Sequence, residues 1–177
     1  MGTDSGLGGT ARGDALKILI LYDSKHGFTE HCLGLLAGNL PAGADLWPVA
    51  SRPGVPVWSD YDAILFGGPV YFGRWAPRVT AFVERHATEV AARPSLGAFV
   101  VSLSPKAAAL RYFSKTLPTT FKGRLGHVAC FGGAIRWKDL SWWERLVVKR
   151  SRGFETDVGN LDLGSVQALA DWVVSRG

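Results

Sequence analysis

The chain offers few of the features that would declare a function outright. Of its 177 residues only two are cysteine, Cys32 and Cys130, with no CxxC spacing and no matching His pair. That leaves neither a disulfide framework nor a zinc pattern, and both read as buried thiols in a reducing compartment. No apolar run approaches the ~18 residues of a membrane-spanning helix. The first fifteen residues, MGTDSGLGGTARGDA, hold five glycines and no apolar stretch. They are expected to form a flexible tail rather than a signal peptide, ahead of one domain over 16–177. Within them Gly6, Gly8 and Ala11 spell a dinucleotide fingerprint, but before any strand, where it cannot work. The phosphate-cradling GxxxxGK[ST] is absent, which excludes P-loop nucleotide binding.

What is present is ordinary for an α/β protein: 47% apolar and 20% charged residues, at a length that supports one well-buried core. Seven tryptophans exceed the usual share, and the formal charge of +5 favours anionic ligands or surfaces. No nucleic-acid partner is expected.

Continuous apolar runs recur at 17–22, 44–49, 63–67, 97–103 and 127–131. Unbroken Val/Ile/Leu/Phe runs suit strands covered on both faces, hence a parallel sheet. Between them lie helical faces: Cys32, Leu33, Leu36 and Leu40; Val79, Phe82, Val83 and Val90; Leu110, Phe113 and Leu117; Val166, Leu169, Ala170 and Val173. Pro53, Gly54 and Pro56 leave little room for a helix between the second and third strands, so that crossover is expected to be degenerate. The alternation predicts a doubly wound, five-stranded parallel sheet with ligands at the carboxyl ends of its strands. Strand three closes on Gly67-Gly68-Pro69 rather than on Asp, which excludes a phospho-acceptor receiver.

The joint after the first strand, Ser24-Lys25-His26-Gly27-Phe28-Thr29, meets the amino end of the first helix, where unpaired amides and the helix dipole favour an anion. Ser24 and Thr29 add hydroxyls, Gly27 admits close backbone approach, and Lys25 or His26 supplies charge. Simple turn closure and helix capping would use the same residues. Two further loops decide for a ligand. FGGPVYFGRW (66–75) is read as a non-helical loop placing Tyr71, Phe72 and Trp75 among glycines, and SLSPK (102–106) supplies two hydroxyls. Together they provide one phosphate site and two walls for a planar ring.

This pattern resembles the flavodoxin family, whose first loop reads [ST]-x-x-G-x-[ST]. Ser24, Gly27 and Thr29 match it, and the likeness extends over about 17–172. It implies FMN as cofactor, with contacts from Ser24, Lys25, His26, Gly27, Phe28 and Thr29, from Gly68, Pro69, Val70, Tyr71, Phe72 and Gly73, and from Ser102, Leu103 and Ser104. A narrower resemblance follows the fifth strand. FGGAIRWKDLSWWERLVVKRSRGFETD (131–157) is similar in order and character to the basic, aromatic insertion of the menaquinone-dependent protoporphyrinogen oxidases, a flavodoxin-like enzyme family. It implies an FMN-dependent oxidoreductase passing electrons from a reduced small molecule to a quinone-like acceptor. The alternative is an electron carrier between proteins; such flavodoxins are typically acidic, and this chain is basic.

Within the insertion, taken as about 134–160, Trp142, Trp143, Leu146 and Val147 share a helical arc interrupted by Arg150, with Lys149 on the other side. Indoles among cations suit a membrane interface. The expected location is therefore cytoplasmic, with peripheral contact at the inner face of the cell membrane; packing on the domain is the competing use of that arc. No acid/base pair demands a catalytic role. His26 is read as a phosphate contact, and His31, His86 and His127 as structural.

Overall fold

The computed structural model describes residues 15–135, 137–141, 145–146, 149–150, 156 and 158–176. The proposed N-terminal tail falls almost wholly outside the described residues, as do Trp142, Trp143 and Val147 of the insertion. The elements are β1 (Ile18–Tyr22), α1 (Phe28–Gly38), β2 (Asp45–Pro48), β3 (Ala63–Tyr71), β4 (Arg74–Trp75), α2 (Pro77–Arg85), α3 (Ala87–Ala91), β5 (Ser95–Val101), α4 (Lys106–Thr116), β6 (His127–Cys130), β7 (Ala134–Ile135), β8 (Val158–Gly159) and α5 (Leu163–Val174).

Five strands pair in parallel in the order β2-β1-β3-β5-β6. This is the order of the flavodoxin-like branch of doubly wound folds, whose crevice lies where strand order reverses, outside the carboxyl ends of β1 and β3. As the prolines require, no α-helix links β2 to β3; a single 3-10 turn at Trp58–Asp60 does. Both sheet faces are covered, because alternate residues of each strand enter different cores. Leu19, Leu21, Ile64, Phe66, Ala98 and Val100 pack with α2, α3 and α4. Ile18, Ile20, Tyr22, Ala63, Leu65 and Phe99 pack with α1 and α5. The thiols lie on opposite sides of the sheet, Cys32 in the second core and Cys130 in the first. Burial pushes the Cys32 thiol up to about 12, which leaves it inert as a nucleophile.

Three expectations need correction. The inward face of α4 carries Ala109 and Phe113, with Leu110 only half-buried; the small alanine permits closer approach to the sheet. The fourth parallel strand begins at Ser95 and ends at Val101, since Ser102 N–H leaves the ladder to donate to the Gly132 carbonyl at 2.7 Å.

The third correction concerns 66–75, which is mostly strand rather than loop. β3 runs on through Gly68, Pro69 and Val70 to Tyr71 and returns through β4, pairing Val70 with Trp75 and Tyr71 with Arg74. Pro69 is tolerated because the parallel ladder is ending there. Trp75 consequently leaves the loop for the core: it is fully buried, packs edge-on to Phe113 at 4.6 Å, and donates its indole N–H to the Phe99 carbonyl at 3.1 Å.

Candidate functional site

Two chain reversals and a helix start meet at the carboxyl edge of β1 and β3. At the first, Gly27 adopts φ 79° and hands the chain to α1, whose opening turn has no side-chain cap. Its first amides therefore point outward without an intrahelical partner. The space above Gly27 is open, the nearest atom to an added Cβ being Glu30 Oε2 at 3.7 Å. Thr29 is buried at the start of this turn. Ser24 donates its hydroxyl to the Glu30 carboxylate at 3.0 Å. Lys25 is exposed, whereas His26 and Phe28 are half-buried.

At the second reversal, Phe72 and Gly73 form the two-residue turn of the β3–β4 hairpin, with φ of 49° and 73°. Two positive φ values are the type I′ pattern whose twist matches the flanking strands. Gly73 suits it; Phe72 does not, since a side chain in this region costs roughly 1–2 kcal/mol. Yet Phe72 is also 74% exposed. A large apolar side chain held on strained backbone and turned to solvent adds little to the core, which makes Phe72 a candidate ligand contact.

The first and second segments touch. Gly68 lies against the backbone of Asp23, where an added Cβ would come within 3.1 Å of the Asp23 carbonyl. The His26 ring meets the Tyr71 ring edge-on at 6.5 Å. Asp23, 8% exposed, takes an ion pair from Arg78 on α2 at 3.5 Å.

The third segment is braced from elsewhere. Ser102 Oγ accepts from the Ser104 amide at 3.1 Å, shaping the turn over Leu103. Behind it Gly132 and Gly133 pack so tightly, on Asn160 and on the Ser102–Leu103 backbone respectively, that neither position has room for a side chain. Asn160 accepts the Gly133 amide on its side-chain oxygen at 3.0 Å, and the β7–β8 ribbon closes the base of the insertion beside it.

Thus Ser24, Lys25, His26, Gly27, Phe28 and Thr29 form the first wall, and Gly68 to Gly73 the second, in direct contact with it. Ser102, Leu103 and Ser104 follow β5, the neighbour of β3. Sequence reading missed Asp23 and Arg78, Glu30 at the helix start, Tyr112 of α4 beneath Gly73 at 3.4 Å from an added Cβ, and Asn160. Of the remaining histidines, His31 is exposed on α1 beside Phe28 at 6.3 Å, His86 packs with Trp58 and Phe82, and His127 stacks on Trp172 at 5.8 Å. Burial, with a smaller push from Lys106, lowers the His127 pKa.

Comparison with known proteins agrees with this fold. The flavodoxin domain model matches residues 19–158, and the chain belongs to the flavodoxin domain family. Among curated relatives it is similar to protoporphyrinogen IX dehydrogenase (quinone) of Escherichia coli K12, with 26% identity over 151 residues, 80% of this chain and 83% of that one. Among solved structures, oxidised flavodoxin 1 from Bacillus cereus superposes with a TM-score of 0.53 at 13% identity, covering 90% of this chain and 97% of that one. A flavoprotein from Bacteroides eggerthii gives 0.50 at 16% identity, covering 89% and 98%. Among the described residues, no helix is long and apolar enough to cross a membrane.

Proposed function

We propose that this chain is an FMN-dependent oxidoreductase of the protoporphyrinogen-oxidising type, delivering electrons to a quinone. The observation that carries the reading is the contact between the first two walls, His26 on Tyr71 and Gly68 on Asp23, at the point where strand order reverses. The residues fit the cofactor: the uncapped α1 start and the open space over Gly27 suit a phosphate, and the hairpin offers aromatic faces for a ring.

Bound FMN would supply the redox chemistry, accepting electrons from the substrate and passing them to the acceptor. The chain's own tasks are narrower. Thr29 and the first α1 amides hold the phosphate, with Ser24 joining them once it turns from Glu30. Lys25 contributes charge. Tyr71 and Phe72 bound one side of the ring, and the Ser102–Ser104 turn, fixed by Gly132–Gly133, bounds the other. Asp23 and Arg78 hold the start of α2 against the first wall.

The likeness to the E. coli dehydrogenase supports the substrate and acceptor. Exposed Lys149, Arg150 and Leu146 support a peripheral membrane approach, with Trp142 and Trp143 of the same segment as its anchors; a quinone dissolved in the bilayer would be reached that way. The test is direct. Purified protein should carry or take up FMN in a one-to-one titration and oxidise protoporphyrinogen with a menaquinone analogue. Flavin binding without that oxidation would leave the electron-carrier reading; no flavin binding would reject both.

A further inference from the structure

Beside the hairpin, on the α2/α4 side of the sheet, lies a groove of about 400 Å³ that the flavin site does not use. That volume is in the range of small-molecule sites. Arg74, Lys115 and Lys122 stand around it, with Glu84 the only acidic residue lining it among the described residues, over Trp75 and Leu117. The three cations come from separate places: Arg74 from the returning hairpin strand, Lys115 from the last turn of α4, and Lys122 from beyond the Thr119–Phe121 turn. All three are exposed, and none is engaged in an ion pair among the described residues. Three cations against one carboxylate line a cavity that only the fold assembles, so an anionic ligand is favoured.

The position narrows the ligand. Arg74 pairs with Tyr71 directly across the Phe72–Gly73 turn, so the groove opens on the same hairpin whose other side is assigned to the flavin ring. We propose that the groove receives the carboxylates of the substrate, and that the substrate is accordingly an organic dianion whose body reaches over Phe72 while its acid groups lie among Arg74, Lys115 and Lys122. Arginine takes one carboxylate in a two-pronged contact, and the lysines act as point charges for the other. Glu84 disfavours cationic ligands and leaves the groove with a net charge of +2 when its four charged groups are summed. The ligand's identity rests on the oxidoreductase reading; the anion preference of the groove does not. A tetrapyrrole dicarboxylic acid of the kind that names the E. coli relative meets the requirement.

The experiment uses the full chain saturated with FMN, in neutral detergent, and titrates protoporphyrin IX and its dimethyl ester by porphyrin absorbance and tryptophan quenching. The free acid should bind at least tenfold tighter than the ester. The triple variant Arg74→Gln, Lys115→Gln, Lys122→Gln alters only exposed side chains and should bring the acid down to the ester's affinity, leaving FMN affinity unchanged. Equal binding of acid and ester, binding of neither, or a triple variant that keeps its preference would each overturn the proposal. Failure to bind FMN or to oxidise the porphyrinogen appears in separate assays and, with the acid preference intact, would count against the oxidoreductase reading alone.

Discussion

The Ser24 hydroxyl donates to the Glu30 carboxylate at 3.0 Å across the first turn of α1, so an acidic side chain already stands where a phosphate is proposed to bind. Glu30 favours the positive helix end by about 0.3–1 kcal/mol but opposes a second anion beside it. Glu30→Gln is therefore expected to lower stability by about 0.5 kcal/mol and to tighten FMN binding several-fold, while leaving riboflavin affinity unchanged. Fluorescence titration of both flavins checks this; equal gains for both would show that the phosphate is not involved.

Phe72 sits at φ 49° in a type I′ turn. Replacement by Asn, which suits that conformation, should raise stability by about 0.5–1 kcal/mol through relief of strain. Loss of the aromatic face should weaken FMN binding by about 0.5–1.5 kcal/mol. Opposite movement of Tm and flavin affinity is the signature; a fall in Tm would show the turn unstrained.

Trp75 fills the core between Phe66 and Phe113 and satisfies the Phe99 carbonyl. Trp75→Ala should cost about 3–5 kcal/mol, and Trp75→Phe about 1–2 from the lost hydrogen bond and volume. Urea midpoints measure both. A cost below 1 kcal/mol for the alanine variant would contradict the packing.

Asp162 caps α5, accepting from the Ser165 amide at 2.9 Å and hydroxyl at 2.7 Å. These bonds, the side-chain one first, hold its carboxyl below the ordinary 3.8. A depressed folded pKa contributes stability that is complete above the unfolded value and lost as pH falls through the folded one. Asp162→Ala should thus cost about 1 kcal/mol at pH 7, with the difference from the unaltered protein closing below about pH 4. A difference constant down to pH 2.5 would reject the cap.

Local chemistry determined much of this protein without the fold. Apolar runs without alternation announced a parallel sheet, because strands buried on both faces tolerate no polar side. Ser24, Gly27 and Thr29 marked a strand-to-helix joint through backbone preference and hydroxyl chemistry alone. Pro53 and Pro56 ruled out a helix between the second and third strands. Each of these depends on a residue and its immediate neighbours.

What needed the tertiary structure is what depends on partners distant in the chain. Trp75 looked like a ring-binding aromatic beside glycines, yet Phe99 and Phe113 draw it into the core, since burying an indole with its N–H bonded outweighs leaving it in a loop. Nothing in 72–73 shows by itself that the strand will reverse; the turn type follows from the pairing of Val70 with Trp75. Asp23 meets Arg78 and Gly132 meets Asn160 only because the sheet edge gathers them. The groove joins residues from three separate segments, and Arg74, Lys115 and Lys122 line one cavity only once the fold has brought them together.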